Sequence, residues 1–259
     1  MLRTTAILNL KGGVAKTTTA INLASILARE FSSRVLLVDA DSQCNLTEFF
    51  GADPDRGTLA DLLRCKEGAL RLALALESIQ PTEIPGVHIL AGDQSLMDMD
   101  LSAVKAGSAN TEVLRELADN VALEYEYMIV DCPPAFNAAS AAALVAADDV
   151  VIPIKLDAFS LRGMGNLMHQ ISTMRQINPR LRLAGFLPTM WYKSQLLQDA
   201  EDQLKAAELP VFPHIRRSNK VDSMTWVQDP LLTSSPHSAA AVDYKRFVRA
   251  YAKGAKTNG

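Results

Sequence analysis

Asn9-Leu10-Lys11-Gly12-Gly13-Val14-Ala15-Lys16-Thr17-Thr18-Thr19 decides how the rest of the chain is read. An apolar run, Ala6-Ile7-Leu8, leads into it. Ala20, Leu23, Ala24, Leu27 and Ala28 follow at helical spacing, with Ile21 beside them. Strand, glycine loop and helix in that order form the setting a phosphate-binding loop requires. Gly12 and Gly13 permit a tight turn that brings backbone N–H groups close to an anion. The next helix adds its unpaired N–H groups and the positive end of its dipole. Lys16 supplies a full charge for the β- and γ-phosphates, and Thr17 offers a hydroxyl ligand for Mg²⁺. The common form of such a loop, G-x-x-x-x-G-K-[ST], fails here, because that register puts Leu10 and Ala15 where glycines belong. K-G-G-x-x-K-[ST] does fit, with a second lysine, Lys11, ahead of the glycines.

Further along, two more apolar runs end in acids. Arg34-Val35-Leu36-Leu37-Val38-Asp39-Ala40-Asp41 carries two carboxylates at its C-terminal end, where open α/β sheets bind ligands. Spaced two apart, Asp39 and Asp41 share a face in extended geometry. Taken alone, they are equally well explained as helix-capping aspartates. Tyr127-Met128-Ile129-Val130-Asp131 is the third such strand, and its terminal acid has the Walker B pattern that holds a Mg²⁺ shell. Val87–Ala91, Val150–Ile154 and Leu183–Met190 read as additional strands, the last interrupted by Pro188. Helices are expected from Thr58 (an N-cap with Asp61 three residues on), over Ala69–Leu76, over Glu112–Leu123, and from Asp157 to about Met174. Pro81 and Pro85 mark a loop. The Ala-rich run from Ala138 to Ala147 reads as a tightly packed helix. The sum is a doubly wound α/β fold, with a mostly parallel sheet and helices on both faces, in one domain spanning residues 1–259.

Composition narrows the function classes. A chain of 259 residues, 48% hydrophobic, can bury a substantial core, and its formal net charge of -3 gives no sign of wholesale nucleic-acid binding. The N-terminus enters a strand at once, so no signal peptide is expected, and no apolar run is long enough for a membrane span. Cys44, Cys65 and Cys132 are odd in number and widely spaced. That pattern argues for a reducing cytoplasm and against zinc or disulfides, and because Cys44 and Cys132 sit beside the strand-ending acids it argues against an iron–sulfur redox enzyme as well. Positive charge is local. Arg216, Arg217 and Lys220 form one cluster, and Lys245, Arg246, Arg249, Lys253 and Lys256 follow in the last helix, whose Tyr244, Phe247, Val248 and Tyr251 should face the core. Such a stripe suits phosphate-backbone binding without base reading, and it equally suits a solvated basic face at a helix C-terminus.

The K-G-G-x-x-K-[ST] loop resembles the deviant Walker A motif of the ParA/MinD ATPase superfamily, and Asp131-Cys132-Pro133-Pro134 resembles the ParA family's form of its segment. Asp39–Thr47 resembles D-x-D-P-Q-G-N-x-T, with Ser42 for proline and Cys44 for glycine; Ala15 likewise stands where glycine is commoner. The resemblance covers nearly the whole chain. It implies a cytoplasmic, nucleoid-associated ParA-type partition ATPase that takes ATP and Mg²⁺. Lys11, Gly12, Gly13, Val14, Ala15, Lys16, Thr17 and Thr18 would cradle the nucleotide, with Lys11 reaching the phosphates of a partner subunit in a homodimer. Thr17, Asp39 and Asp131 would manage Mg²⁺, Asp41 would polarise the attacking water, and the ends of two segments, Met190 and Ile215, would approach the adenine. A core methionine explains Met190 equally well. Nonspecific DNA would be held by Arg216, Arg217, Lys220, Lys245 and Arg249, and hydrolysis, weak alone, would be stimulated by a ParB-like or other DNA-bound adaptor. The alternative is a MinD-like positioning ATPase, which needs a membrane-binding amphipathic tail; here the apolar positions of the last helix look committed to the core, so no membrane partner is expected.

Overall fold

A computed structural model describes residues 2–99, 104–105 and 109–256. Seven strands form one sheet: β1 Arg3–Ile7, β2 Val35–Asp39, β3 Ile79–Pro81, β4 Val87–Leu90, β5 Tyr127–Asp131, β6 Asp149–Lys155 and β7 Arg182–Thr189. Their order is β3-β4-β2-β5-β1-β6-β7, parallel throughout except for β3 against β4. The near-continuous apolar character of β2 and β5 follows from burial on both faces. Leu36, Val38, Met128, Val130, Val150 and Ile152 face one core layer, while Val35, Leu37, Ile129 and Val151 face the other.

The second of these layers is covered by α1 (Lys16–Phe31) and by the last three helices. The first is covered by α3 (Leu59–Arg64), α5 (Val113–Val121), α6 (Ala138–Ala146) and α7 (Ala158–Met174). Between them in sequence lie α2 (Asn45–Phe50) and α4 (Gly68–Ser78), and the chain ends with α8 (Gln195–Ala206), α9 (Asn219–Val227), α10 (Leu231–Ser234) and α11 (Ala239–Lys256). Every residue of α6 is buried, since alanines allow the close approach that larger side chains would block. Thr58 and Asp61 close a reciprocal capping box on α3. Tyr244, Phe247, Val248 and Tyr251 are all buried.

Three details depart from the sequence reading. Pro81 does not belong to a loop but ends the short antiparallel edge strand β3, a place where a missing N–H costs little. Strand β7 runs straight through Pro188, whose carbonyl accepts from the Ile215 N–H; the proline nitrogen therefore faces this outer segment and not the β6 ladder. The irregularity of β7 lies earlier, where the β6–β7 register shifts between Val150 and Val151 and Gly185 takes φ +159°. The polar tail Gly254–Gly259 reads as a frayed end in the sequence, but α11 continues to Lys256; the last three positions fall outside the described residues.

The order of strands sets the site. Chain leaving β1 crosses to β2 on one side and later returns to β6 on the other, so the loop after β1 sits at a topological switch point. Asp39 and Asp131 are register neighbours at the C-terminal ends of β2 and β5. All the strand-ending acids thus surround one loop.

Candidate nucleotide site

Asn9 shapes the loop. Its side-chain amide donates to the Pro153 carbonyl at 2.7 Å, and its oxygen accepts from the Lys11 N–H at 3.0 Å. Gly13 takes φ +68°, and a Cβ added at Gly12 or Gly13 would meet nothing within 4 Å. The loop is thus bare toward an open cleft of about 510 Å³. Lys16, Thr17, Thr18 and Asp41 line that cleft, as do Met190 and residues of α9. An adjoining cavity of about 520 Å³ is lined by Met190, Ile215, Arg217 and Tyr244, and shares Val221 and Asp222 with the first. The Thr189 hydroxyl donates to the Val14 carbonyl at 3.1 Å and so ties the end of β7 to the loop.

The electrostatics are unbalanced. Asp131 is fully buried and neither carboxylate oxygen has a hydrogen-bond partner among the described residues. Burial, and then the neighbouring Asp39, push its pKa well above the ordinary carboxylate range, against the pull of Thr17 and Lys16. Burial lowers the pKa of Lys16, against Asp131 and Asp41; Lys16 forms no ion pair with a carboxylate among the described residues, and its ammonium reaches the Lys11 carbonyl at 3.4 Å. A buried acid and a buried base that do not neutralise each other are costly in a resting fold. An orphaned carboxylate beside the Thr17 hydroxyl fits a hydrated Mg²⁺, which needs few protein ligands when phosphates and water supply the rest. No cluster of three or more His, Cys, Asp or Glu side chains suited to a metal occurs among the described residues.

Asp39 and Asp41 part company. Both oxygens of Asp39 are taken: Oδ2 accepts from the Thr47 N–H (2.8 Å) and hydroxyl (2.7 Å), and Oδ1 from the Asp41 N–H (3.2 Å). Burial nevertheless raises its pKa to about 6. Asp39 thus holds the turn that presents Asp41, whose Oδ1 accepts from the Gln43 N–H at 3.0 Å while its side chain lines the cleft.

Lys11 is held within its own chain. Its ammonium donates to both oxygens of Asp157 (3.0 and 2.8 Å) and to the Ser160 hydroxyl (3.0 Å). Asp157 is also the N-cap of α7 and accepts from the Ser160 N–H. Against a burial effect of opposite sign, Lys11 and Ser160 bring its pKa down to about 2. The capping signature of Asp157 and Ser160 is visible in the sequence, but their attachment to Lys11, 146 and 149 residues away, is not.

The basic residues divide likewise. Arg216 is paired with Asp243 (Nε 2.7 Å, Nη2 2.9 Å), and Arg249 and Lys245 approach Glu30 at 3.0 and 3.5 Å. Arg217 and Lys220 are exposed and form no ion pair among the described residues.

A glycine loop at the switch point of a parallel sheet, flanked by strand-ending acids, defines a nucleotide-binding protein of the P-loop class. The model of the AAA_31 family, described as an AAA domain, matches residues 2–183. The chain is 35% identical over 203 residues to a chromosome partitioning protein ParA of Caulobacter vibrioides (76% of this chain, 73% of the relative). It is 34% identical over 252 residues to the chromosome-partitioning ATPase Soj of Thermus thermophilus, covering 95% of this chain and 94% of that one. Among solved structures, a cobyrinic acid a,c-diamide synthase from Mycobacterium smegmatis with bound ATP analogue and magnesium aligns with TM-score 0.80 and 29% identity, over 100% of this chain and 98% of the other. The chain belongs to the ParA family of ATPases.

Proposed function

We propose that this chain is a ParA-type partition ATPase. Its ATP-bound form is a homodimer that binds DNA nonspecifically, and a DNA-bound adaptor of ParB type stimulates hydrolysis and release. The observation that carries the reading is the buried, unpartnered Asp131 beside the unpaired Lys16, under a bare glycine loop. ATP is the substrate. Bound Mg²⁺ supplies charge that offsets the β- and γ-phosphate oxygens; Thr17 and, through water, Asp131 would hold it. Lys16 binds the phosphates, and backbone N–H groups from Gly12 to Thr18, those of Val14 and Ala15 included, orient them. Asp39 acts on the metal side by fixing the turn, and Asp41 positions the attacking water. Met190 and Ile215 contact the adenine, a placement supported by the cavity they share with Val221.

Lys11 must leave Asp157 before it can serve another subunit's phosphates, so its tether suits a resting monomer. Arg217 and Lys220 are the leading DNA contacts. Arg216, Lys245 and Arg249 contribute only by exchanging a carboxylate for a phosphate. The alternative, a membrane-positioning ATPase, is disfavoured because the apolar side of α11 is spent on the core. No helix among the described residues is long and apolar enough to cross a membrane. We place the protein in the cytoplasm, on the nucleoid.

DNA binding and oligomeric state, measured with ATP and with ADP, test the proposal. Dimerisation and DNA retention with ATP alone are expected. A protein that stays monomeric and ignores DNA with either nucleotide would refute it. Lys16→Ala should weaken ATP binding about a hundredfold or more, by removing a charge-assisted phosphate contact from a low-dielectric site.

A further inference from the structure

Helix α9 forms part of both cavities, through Val221 and Asp222, and its N-terminal flank carries Arg217 and Lys220. Yet it is weakly seated: of its nine residues only Met224 is buried. Elements with so few buried contacts are the ones that shift at low free energy. At its C-terminal end the Gln228 amide donates to the Glu48 carbonyl at 2.7 Å, which joins α9 to α2, the helix that follows Asp41. Ser218 caps its start, and the Arg217 N–H donates to the Trp191 carbonyl, next to Met190.

What Met224 touches is unusual. Asn22, on α1, is fully buried in an apolar layer that includes Ile21, Met224 and Leu231. Its amide nitrogen donates to the Thr18 carbonyl at 2.8 Å and to the Met224 sulfur at 3.4 Å, and its oxygen accepts from the Leu231 N–H at 3.2 Å. An aliphatic residue would fill the same space without a polar group to desolvate, and asparagine is a poor helix former. What asparagine adds is direction: its three bonds fix α1, α9 and the start of α10 in one register. Thr18, which it grips from below, lines the nucleotide cleft from above.

We infer that α9 is the element linking the nucleotide cleft to the basic edge, and that Asn22 is the positioning residue that couples α9 to the phosphate loop. This rests on the DNA-binding reading above. A displacement of Thr18 when phosphates fill the loop reaches Met224 through one side chain and so moves the helix that presents Lys220. A two-state element biased from both sites is what coupling requires.

The test uses the full chain and its Asn22→Leu variant. DNA affinity is measured with ATP and with ADP, ATP affinity separately, and amide exchange across residues 219–227 with and without ATP. The wild type should bind DNA about tenfold or more tighter with ATP than with ADP. Asn22→Leu should bind ATP within about threefold of wild type, lose most of that ratio, and show no ATP-dependent change in exchange over α9. A variant that folds and keeps the wild-type ratio overturns the coupling role. Should Asn22→Leu not fold, Met224→Leu, which removes the sulfur acceptor and keeps the volume, decides: a reduced ratio supports the inference and an unchanged one sinks it. If wild type shows no ATP effect on DNA, it is the DNA-binding reading that fails. The exchange experiment then stands alone, and an α9 indifferent to ATP in wild type overturns the inference.

Discussion

Asp149 and Asp131 are both fully buried carboxylates on strands that flank β1, at opposite ends of the sheet, and the fold treats them in opposite ways. Asp149, at the start of β6, is gripped by Arg3 and Arg182 and by the Tyr251 hydroxyl at 3.1 Å; Tyr251 in turn meets the Thr5 hydroxyl. Asp131, at the end of β5, has no partner for either oxygen among the described residues. A buried charge that has every partner it needs fastens β1, β6, β7 and α11 together. A buried acid left without partners, its ionisation opposed by burial and by Asp39, is a cost the fold carries for something not in the resting chain. One end of the sheet is built for stability and the other for a ligand.

The largest effect that could break this contrast is on stability. Asp149→Ala removes the buried carboxylate shared by Tyr251 and the partly exposed Arg3 and Arg182, and should cost about 2–4 kcal/mol of unfolding free energy. Asp131→Asn replaces an acid whose ionisation burial and Asp39 already oppose, so the nucleotide-free protein should be unchanged or about 1 kcal/mol more stable while Mg²⁺-dependent ATP binding falls sharply. Urea denaturation of both variants, alongside ATP titrations with and without Mg²⁺, measures the pair. Equal destabilisation by the two would dissolve the distinction.

Next comes pH. The folded pKa of Asp39, about 6, lies above its unfolded value, so between about pH 4 and pH 6 the folded chain binds more protons than the unfolded one. This group's contribution therefore favours folding at low pH and is lost as pH rises through the window, by at most about 3 kcal/mol. Asp39→Asn lacks the titration. The stability difference, wild type minus variant, should fall as pH rises from about 4 to 6 and stay flat above about 7. A flat difference throughout would mean that Asp39 is ionised in the fold like an exposed acid.

Smaller again is the Lys11 tether. Asp157→Ala removes a half-exposed ion pair and the N-cap of α7, together about 1–2 kcal/mol. Its sharper consequence is kinetic. A freed Lys11 should let the proposed ATP-dependent dimer form faster, which light scattering after rapid mixing with ATP would register. Slower or unchanged assembly would make the tether a mere surface bond.

The phosphate loop and its strand-ending acids were legible because their chemistry is local: Gly12, Gly13, Lys16 and Thr17 are near neighbours, and Asp131 ends an apolar run. So was the sheet, apart from the edge strand at Pro81 and the passage of β7 through Pro188, where the partner on either side decides whether a proline can stay. The partners of single side chains were not legible. Lys11 finds Asp157, Arg3 finds Asp149 and Asn22 finds Met224 across separations of 146, 146 and 202 residues, and no spacing rule reaches that far. The same blindness made Arg216 and Arg249 look like free charges, when Asp243 and Glu30 already hold them.

Two departures from the family pattern share a geometry. Ala15, φ +69°, and Cys44, φ +55°, are both left-handed, and both are N-caps of helices, a position that ordinarily takes extended backbone. Each stands where the commoner family form has glycine, the residue for which this conformation is free of strain. Both lie at the ligand end of the sheet, so the strain belongs with the unpartnered Asp131 rather than with the satisfied network around Asp149. Ala15→Gly and Cys44→Gly should each raise stability by about 1 kcal/mol, the relief of left-handed strain less the entropy glycine adds to the unfolded chain. Because the two turns are separate, the double variant should show close to the sum, a rise of roughly 4–8 °C in melting temperature. A loss of stability in either single variant would mean that the methyl or the thiol packs well enough to outweigh its backbone, and that this end of the sheet is less strained than its angles indicate.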